Sequence, residues 1–358
     1  RGHYVFGDSI ACDTAAYALV GFDANAFYQA MELRSVTVKN SSIRYIGDNL
    51  FHGCIALNAV IWDAPNALPD NAFDEDSYRN LLVYLPDTVE APSSLLQGAY
   101  ATVIKGGYCE KLVLDATSSF YCPREFTAGE VTYRRTFKQI TGFGTSSGWE
   151  TIALPFDVQF ISHATKGNIT PFGREGDKHY WLATPQGEGF ASVTEICANT
   201  PYIIAMPNNA EYGDYSLNGT VTFSANQATI HTTNEVVVSK NSELTMTPTY
   251  EAIAANAYLY VLNVGSAYDV HNPGSVFVPN KYAVSPFTAY ATPSADTRTM
   301  PYYRIQSHLE VEEDIVNTPT IESRDGNIYI SVTEPQIVVV YDAVGRVACR
   351  IACEVGVN

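Results

Sequence analysis

Three stretches within the first 85 residues repeat one pattern, and a chain that repeats at this period folds by stacking. They are FDANAFYQAMELRSVTV at residues 22–38, IGDNLFHGCIALNAVIW at 46–62 and LPDNAFDEDSYRNLLVYL at 68–85. Their anchors are Phe27, Phe51 and Phe73, spaced 24 and 22 residues apart. An asparagine stands two residues before each anchor (Asn25, Asn49, Asn71), and a large apolar residue stands five before it (Phe22, Ile46, Leu68). Leu33, Leu57 and Leu81 follow, each leading into a short apolar run. A unit this small cannot bury its own apolar side, so each must lie on the next. The expected core of the stack is Phe27, Leu33, Phe51, Cys54, Leu57, Phe73 and Leu81, with the asparagines making turns or bonding backbone.

Pro86 and Pro92 end the repeat, and ATVIKGGYCEKLVLD then predicts two short strands that cap it. From FYCPREF at 120–126 to about residue 308 the pattern changes. Short apolar or alternating runs recur between Gly, Pro, Asn and Asp, among them TIALPFDVQFI, KHYWLAT, TPYIIAMP, GTVTFSA, ATIHTT, EVVVSK and AYLYVLN. Strands so short and numerous, with no helical period between them, predict a β-sandwich or barrel, of which the sandwich is the expected one. The acidic HLEVEEDIVNTP predicts a linker, and the strand-rich tail has turn signals at Asp325-Gly326 and Val344-Gly345. The expected fold is mainly β: a repeat solenoid with its cap (1–115), a β-sandwich module (116–308), an acidic linker (309–319) and a small C-terminal β domain (320–358).

Charge restricts the partners. Lys and Arg number 21 against 38 Asp and Glu, a net −17. Splitting the chain after residues 108 and 308 leaves −6, −5 and −6, so the acidity is diffuse. Nucleic acid and anionic lipid both require clusters of Lys or Arg, and neither is an expected partner. No apolar run reaches the length of a transmembrane helix. The first residue, Arg1, is not a methionine, which suggests that a leader has been removed.

No catalytic constellation stands out. The seven histidines are scattered singly, and the seven cysteines form no CxxC pair, so no metal or cofactor is expected. Cys109 and Cys122 flank a turn-like stretch and are able to pair; the plainer reading makes them small buried hydrophobes. GTSSG at 144–148 matches G-x-S-x-G with Ser146 in the nucleophile place, but a nucleophile elbow needs a helix after it, and WETIALPF predicts a strand. Asp70, Asp74, Glu75 and Asp76 offer oxygen ligands for calcium without the spacing or glycine of an EF-hand loop, and a solvated turn is the plainer reading. The chain is therefore expected not to be an enzyme. For a sugar ligand the expected aromatic platform is drawn from Trp149, Tyr180, Trp181, Tyr258 and Tyr260, the competing reading being that these rings are ordinary strand and core residues.

The repeat resembles the BspA-like leucine-rich repeats of Bacteroidetes surface proteins, roughly I-G-x-x-A-F-x-x-C-x-x-L. Ile46, Gly47, Phe51, Cys54 and Leu57 of the second unit carry the resemblance; Ala30 and Asp76 replace the cysteine in the other two. GWETIALPFDV and ANTPYIIAMP are similar to a module of Bacteroidetes secreted proteins. DGNIYI and VVVYDAVGR look like their C-terminal sorting tails, which usually continue one or two strands beyond Asn358. Asp8-Ser9-Ile10, Asp13-Thr14-Ala15 and Asp87-Thr88-Val89 resemble the O-glycosylation triplets of the same bacteria. The resemblance implies a secreted or cell-surface protein engaged in adhesion or contact with a host or matrix protein. The alternatives are a glycan-binding module of a polysaccharide-handling system and a structural spacer.

Overall fold

A computed structural model describes residues 2–74, 78–93, 95, 101–142, 147–264, 271–281, 283–294 and 300–305, together with the strands of a C-terminal unit. The chain is mainly β, and the repeats form a solenoid-like stack. Five strands, His3–Phe6, Ser35–Val38, Ala59–Trp62, Leu81–Leu85 and Ala101–Lys105, lie parallel in one ladder, with Val5, Thr37, Ile61, Tyr84 and Ile104 in one cross-strand row. The ladder therefore reaches one strand beyond the three repeats on each side. The parallel pairing needs a long connection between strands, and each repeat's Phe-bearing turn supplies it.

Inside the stack Phe51 lies between Phe27 (centroids 5.4 Å apart) and Phe73 (5.0 Å), with the rings nearly parallel. Leu33, Leu57, Leu81 and Cys54 are buried beside them. Asn25 and Asn49 hold φ values of 64° and 57°, a left-handed backbone that asparagine tolerates better than other non-glycine residues. At Gly47 a Cβ would lie 2.1 Å from the Ala24 nitrogen, so only glycine permits the coils to approach so closely. The amides of Asn25, Phe27 and Gln29 donate to the carbonyls of Asp48, Leu50 and His52, tying the turns of adjacent coils. The Cys54 thiol donates to the Phe27 carbonyl at 2.9 Å. One coil on, the Tyr78 hydroxyl does the same for the Phe51 carbonyl at 2.6 Å.

The two strands expected after the repeat are Ala101–Lys105 and Tyr108–Leu114. Tyr108–Leu114 pairs in parallel with Phe126–Thr136, and the sheet runs on through Thr220–Ile230, Phe160–His163 and Gly167–Asn168 to ten strands. Residue 115, where the solenoid was expected to end, lies between two strands paired in that sheet. Alternation gives the ladder two apolar faces. Val36, Val38, Val60, Trp62 and Val83 point into the solenoid core. Ile61, Leu82, Tyr84 and Ile104 point the other way, into a core shared with Phe120, Phe126, Tyr133, Phe223 and Phe287. Polar contacts follow the same seam. Asn58 donates to the Ser119 carbonyl (3.0 Å), Asn80 donates to those of Asp115 and Ser118, Arg124 grips Asp63 with two nitrogens, and Arg34 pairs with Glu251.

Two larger sheets follow, beside the two-stranded pairs Ser9–Cys12 with Ala15–Ala18 and Gly21–Phe22 with Tyr45–Ile46. One orders Glu150–Ile152, Tyr202–Ala205, His179–Gln186 and Thr170–Pro171, with Gly189–Ser192 paired to His179–Gln186. The other orders Ser239–Lys240, Leu244–Thr249, Thr288–Pro293, Tyr260–Leu262, Val276–Pro279 and Tyr303–Arg304. GTVTFSA and ATIHTT, two runs in the sequence, belong to the single strand Thr220–Ile230. EVVVSK contributes only Ser239–Lys240, and Val237 and Val238 are exposed. In the separate unit 308–358, Thr320–Arg324, Asn327–Val332 and Gly356–Val357 form one sheet, and Gln336–Tyr341 pairs antiparallel with Val347–Cys353. The expected linker and the turns at Asp325-Gly326 and Val344-Gly345 lie outside the described residues.

Candidate functional site

The five aromatic residues expected to form a platform do not come together. Strand His179–Gln186 alternates, placing Tyr180 and Leu182 in the core and His179 and Trp181 on the opposite face. Tyr180 is thus a core residue. So is Trp149, whose amide donates to the Gly274 carbonyl where that segment closes over it. Tyr260 is buried too, its hydroxyl donating to the Met300 carbonyl at 2.7 Å and its ring edge-on to Tyr303. Tyr258, 85% exposed, stands on the 256–259 turn. The reason is common to the three buried rings: large aromatic area stabilises the interior between sheets more than it serves a surface.

Trp181 gathers a different set. Thr170–Pro171 pairs in parallel with His179–Tyr180, and the Phe172 amide donates to the Tyr180 carbonyl, which brings the Phe172 ring onto this face. That ring stacks on His179 at 5.1 Å and leans against Trp181 at 5.1 Å. On the other side of Trp181, at 6.1 Å, is Tyr212, carried by the 3-10 turn Ala210–Tyr215. Asn209 caps that turn by accepting the Glu211 amide at 3.2 Å. Tyr215, 64% exposed, lies under the Lys178 ammonium at 4.3 Å, and Lys178 also donates to the Asp214 carbonyl at 2.9 Å. Phe172 is 46% exposed, while Trp181, His179 and Tyr212 are half-buried. Burial, with Glu211 nearby, raises the Tyr212 pKa, so its hydroxyl remains a hydrogen-bond donor at neutral pH. Glu175, Asp177, Glu211 and Asp214, on the same segments of the chain, are exposed.

This aromatic surface is assembled from residues 170–172, 178–181 and 210–215. Phe172, Tyr212 and Tyr215 were not visible as site residues in the sequence. The i, i+3 spacing of Tyr212 and Tyr215 was the one local signal, and it acquires meaning only when the turn lies beside Trp181.

A cleft of about 580 Å³ opens where three sheets meet, lined by Arg134, Lys138, Trp149, Glu150, Asn263 and Asn280 among others. Glu150 is the one carboxylate among its described lining residues. One oxygen accepts the amides of Lys138 and Gln139; the other is held by Arg135, which also donates to the Thr151 carbonyl at 2.8 Å.

The other candidate groups have structural partners. Asp70 accepts the Ser93 amide, while Asp74 accepts the Gly53 amide and contacts His52, so both tie turns together. Glu75, Asp76 and Ser146 lie outside the described residues; the strand Glu150–Ile152 follows the G-x-S-x-G segment. Cys109 and Cys122 are free and buried, and burial pushes their thiols up to about 11 and about 12. Comparison with protein-family models, curated proteins and solved structures finds no match to this chain.

Proposed function

We propose that this chain is an exported, non-enzymatic binding protein of the cell surface, and that the Trp181 surface takes a saccharide. The observation that carries this is the convergence of Phe172, His179, Trp181 and Tyr212 from three segments onto an accessible face. Sugar rings present C–H faces that pack on aromatic rings, while their hydroxyls need donors and acceptors at the rim, here Lys178, Tyr212 and the exposed carboxylates of the same segments. The likeness to BspA-like repeats and to sorting tails supports export from a Bacteroidetes cell; Ser9, Thr14 and Thr88 of the three triplets are exposed.

Adhesion through the repeats has less room. Ile61, Leu82, Tyr84 and Ile104, on the ladder face that would meet a partner, are already covered, which favours a scaffold role for the solenoid. Protein contact keeps one observation of its own. The hairpin Ser9–Cys12 and Ala15–Ala18 is exposed along both strands, with Ile10 paired across from Tyr17.

A glycan array probed with the full chain, followed by titration of the best hit, tests the proposal. Trp181→Ala and Phe172→Ala are expected to weaken binding at least about tenfold, while Tyr258→Ala leaves it unchanged. Glycan binding indifferent to Trp181, or binding only to a matrix protein and lost in Ile10→Ser/Tyr17→Ser, would refute it.

A further inference from the structure

The ten-strand sheet has two ends, and they differ. Its last strand, Gly167–Asn168, is two residues long, too short an edge to recruit another chain. Its first, His3–Phe6, runs His-Tyr-Val-Phe with no lysine, proline or bulge to guard it. No described strand lies on its outer side. The amides of Ser35 and Lys39 donate to the carbonyls of Gly2 and Phe6, so the even-numbered residues bond toward Ser35–Val38. In an extended strand the next residue bonds the other way, which turns the N–H and C=O groups of His3 and Val5 outward. Both residues are exposed, Val5 by 70%.

Apolar surface gathers at the same end. Tyr4, Val5, Ile10, Tyr17, Tyr28 and Met31, each between 44% and 70% exposed, all belong to the coil that ends the stack. At about 100 Å² for each half-exposed side chain they hold on the order of 600 Å², near the ~800 Å² that each partner covers in a standard protein interface. A single added strand would cover Tyr4 and Val5 and leave Ile10 and Tyr17 of the hairpin and Tyr28 and Met31 of the turn in water. A partner of the same cross-section brings strand, hairpin and turn together.

We infer that the open end of the solenoid joins a second copy of this chain across a two-fold axis, His3–Phe6 pairing antiparallel with its counterpart. The edge is self-complementary in one register. With Tyr4 opposite the second copy's Tyr4, each His3 faces the other copy's Val5 and exchanges both backbone hydrogen bonds with it, so every outward group of the two strands is used. The two Tyr4 side chains form the closer, non-hydrogen-bonded kind of pair. Exposed Asp8, Asp13, Asp23 and Glu32 on this coil oppose the approach of a like copy, so salt strengthens the contact. No residue of the Trp181 surface takes part, and the saccharide reading can fail without touching this one.

Sedimentation velocity of the full chain across the micromolar range, at low and high salt, tests the inference. The expected result is a mass that rises from one chain toward two with concentration, and more readily in high salt. Val5→Pro deletes the outward amide and leaves the bonds to Ser35–Val38 intact, and proline is tolerated on such an edge. Tyr4→Asp sets two carboxylates opposite one another. Each should weaken the dimer about tenfold or more, with the parent's circular dichroism, while Tyr258→Ser leaves it unchanged. In a Cys12→Ser/Cys197→Ser background, Tyr4→Cys should cross-link to a dimer on mild oxidation, since facing residues of this kind stand about 4.5 Å apart at Cα. A chain monomeric at every concentration overturns the inference. So does a dimer that survives both Val5→Pro and Tyr4→Asp, a dimer that Tyr4→Cys fails to cross-link, or a monomer that binds a peptide of residues 31–40 instead, which would assign the edge to a single added strand.

Discussion

Truncating Phe51 tests the physical account of the solenoid most directly. Its side chain is wholly buried, and its ring is stacked on both sides, 5.4 Å from Phe27 and 5.0 Å from Phe73. Phe51→Ala removes that ring from a place where neighbouring coils cannot collapse, because turn-to-turn hydrogen bonds fix their spacing. Phenylalanine-to-alanine changes in cores cost about 3–5 kcal/mol, and loss of two stacked contacts favours the upper part of that range. We expect about 4 kcal/mol. Phe27 is only half-buried, and Phe27→Ala should cost about 2 kcal/mol by the same area argument. Equilibrium urea unfolding followed by tryptophan fluorescence is the assay, since the buried Trp62 indole reports on the same coil core. The shared core adds a second expectation. Because Ile61, Leu82, Tyr84 and Ile104 are packed among module residues, fluorescence and far-ultraviolet circular dichroism of residues 1–307 should shift together in the variant. A Phe51→Ala loss below about 1 kcal/mol, or one no larger than that of Phe27→Ala, would refute the stacking argument.

Three other outcomes follow from the same contacts. Asn80→Ala should cost about 2 kcal/mol in urea unfolding, because it strands the Asp115 amide and the Ser118 carbonyl and leaves alanine at φ 56°. A thiol reagent at pH 8, with peptides mapped by mass spectrometry, should label exposed Cys12 and Cys197 in the folded chain and spare Cys54, Cys109 and Cys122. Burial raises those three thiols from 9.0 to about 11, about 11 and about 12; the folded state therefore binds their protons more tightly than the unfolded state. Their contribution to stability is complete below pH 9 and is lost as the pH rises through 11 to 12, so the urea midpoint should fall over that window and recover part of its height in Cys122→Ala relative to its own value at pH 8.

The solenoid was legible because its information is local and repeated. Phe27, Phe51 and Phe73 recur at the near-equal intervals of 24 and 22 residues since they stack on one another, and Asn25 and Asn49 recur since the turn needs a left-handed residue. Substitution of function within that pattern was less visible. Tyr78 replaces the hydrogen bond of Cys54 from a position two residues displaced, which no alignment of the repeats by spacing would pair. Pairing across the chain was not legible at all: nothing in Phe126–Thr136 says that it extends the ladder of the repeats, because parallel partners carry no sequence complementarity. The aromatic surface failed for a related reason. Tyr180 and Trp181 are neighbours, strand alternation puts one inside and the other outside, and the sequence does not say which. Trp149 and Tyr260 are in strand-like runs whose inward phase is set by sheets formed from distant residues.

The joint face of the ladder has an evolutionary consequence. Repeat arrays ordinarily lengthen and shorten by duplication and loss of units, since each unit asks only for a similar neighbour. Here Ile61, Tyr84 and Ile104 are also fitted to Phe126, Phe120 and their surroundings, so these coils carry individual positions that a duplicate would shift out of place. Deleting or inserting one unit between Ala59–Trp62 and Tyr108–Leu114 would move Asn58 and Asn80 away from the 115–119 segment they bind. Unit number is therefore most constrained on the module side, and before Ser35–Val38 the coils meet the module through fewer contacts, such as Arg34 with Glu251 and His3 with Tyr121.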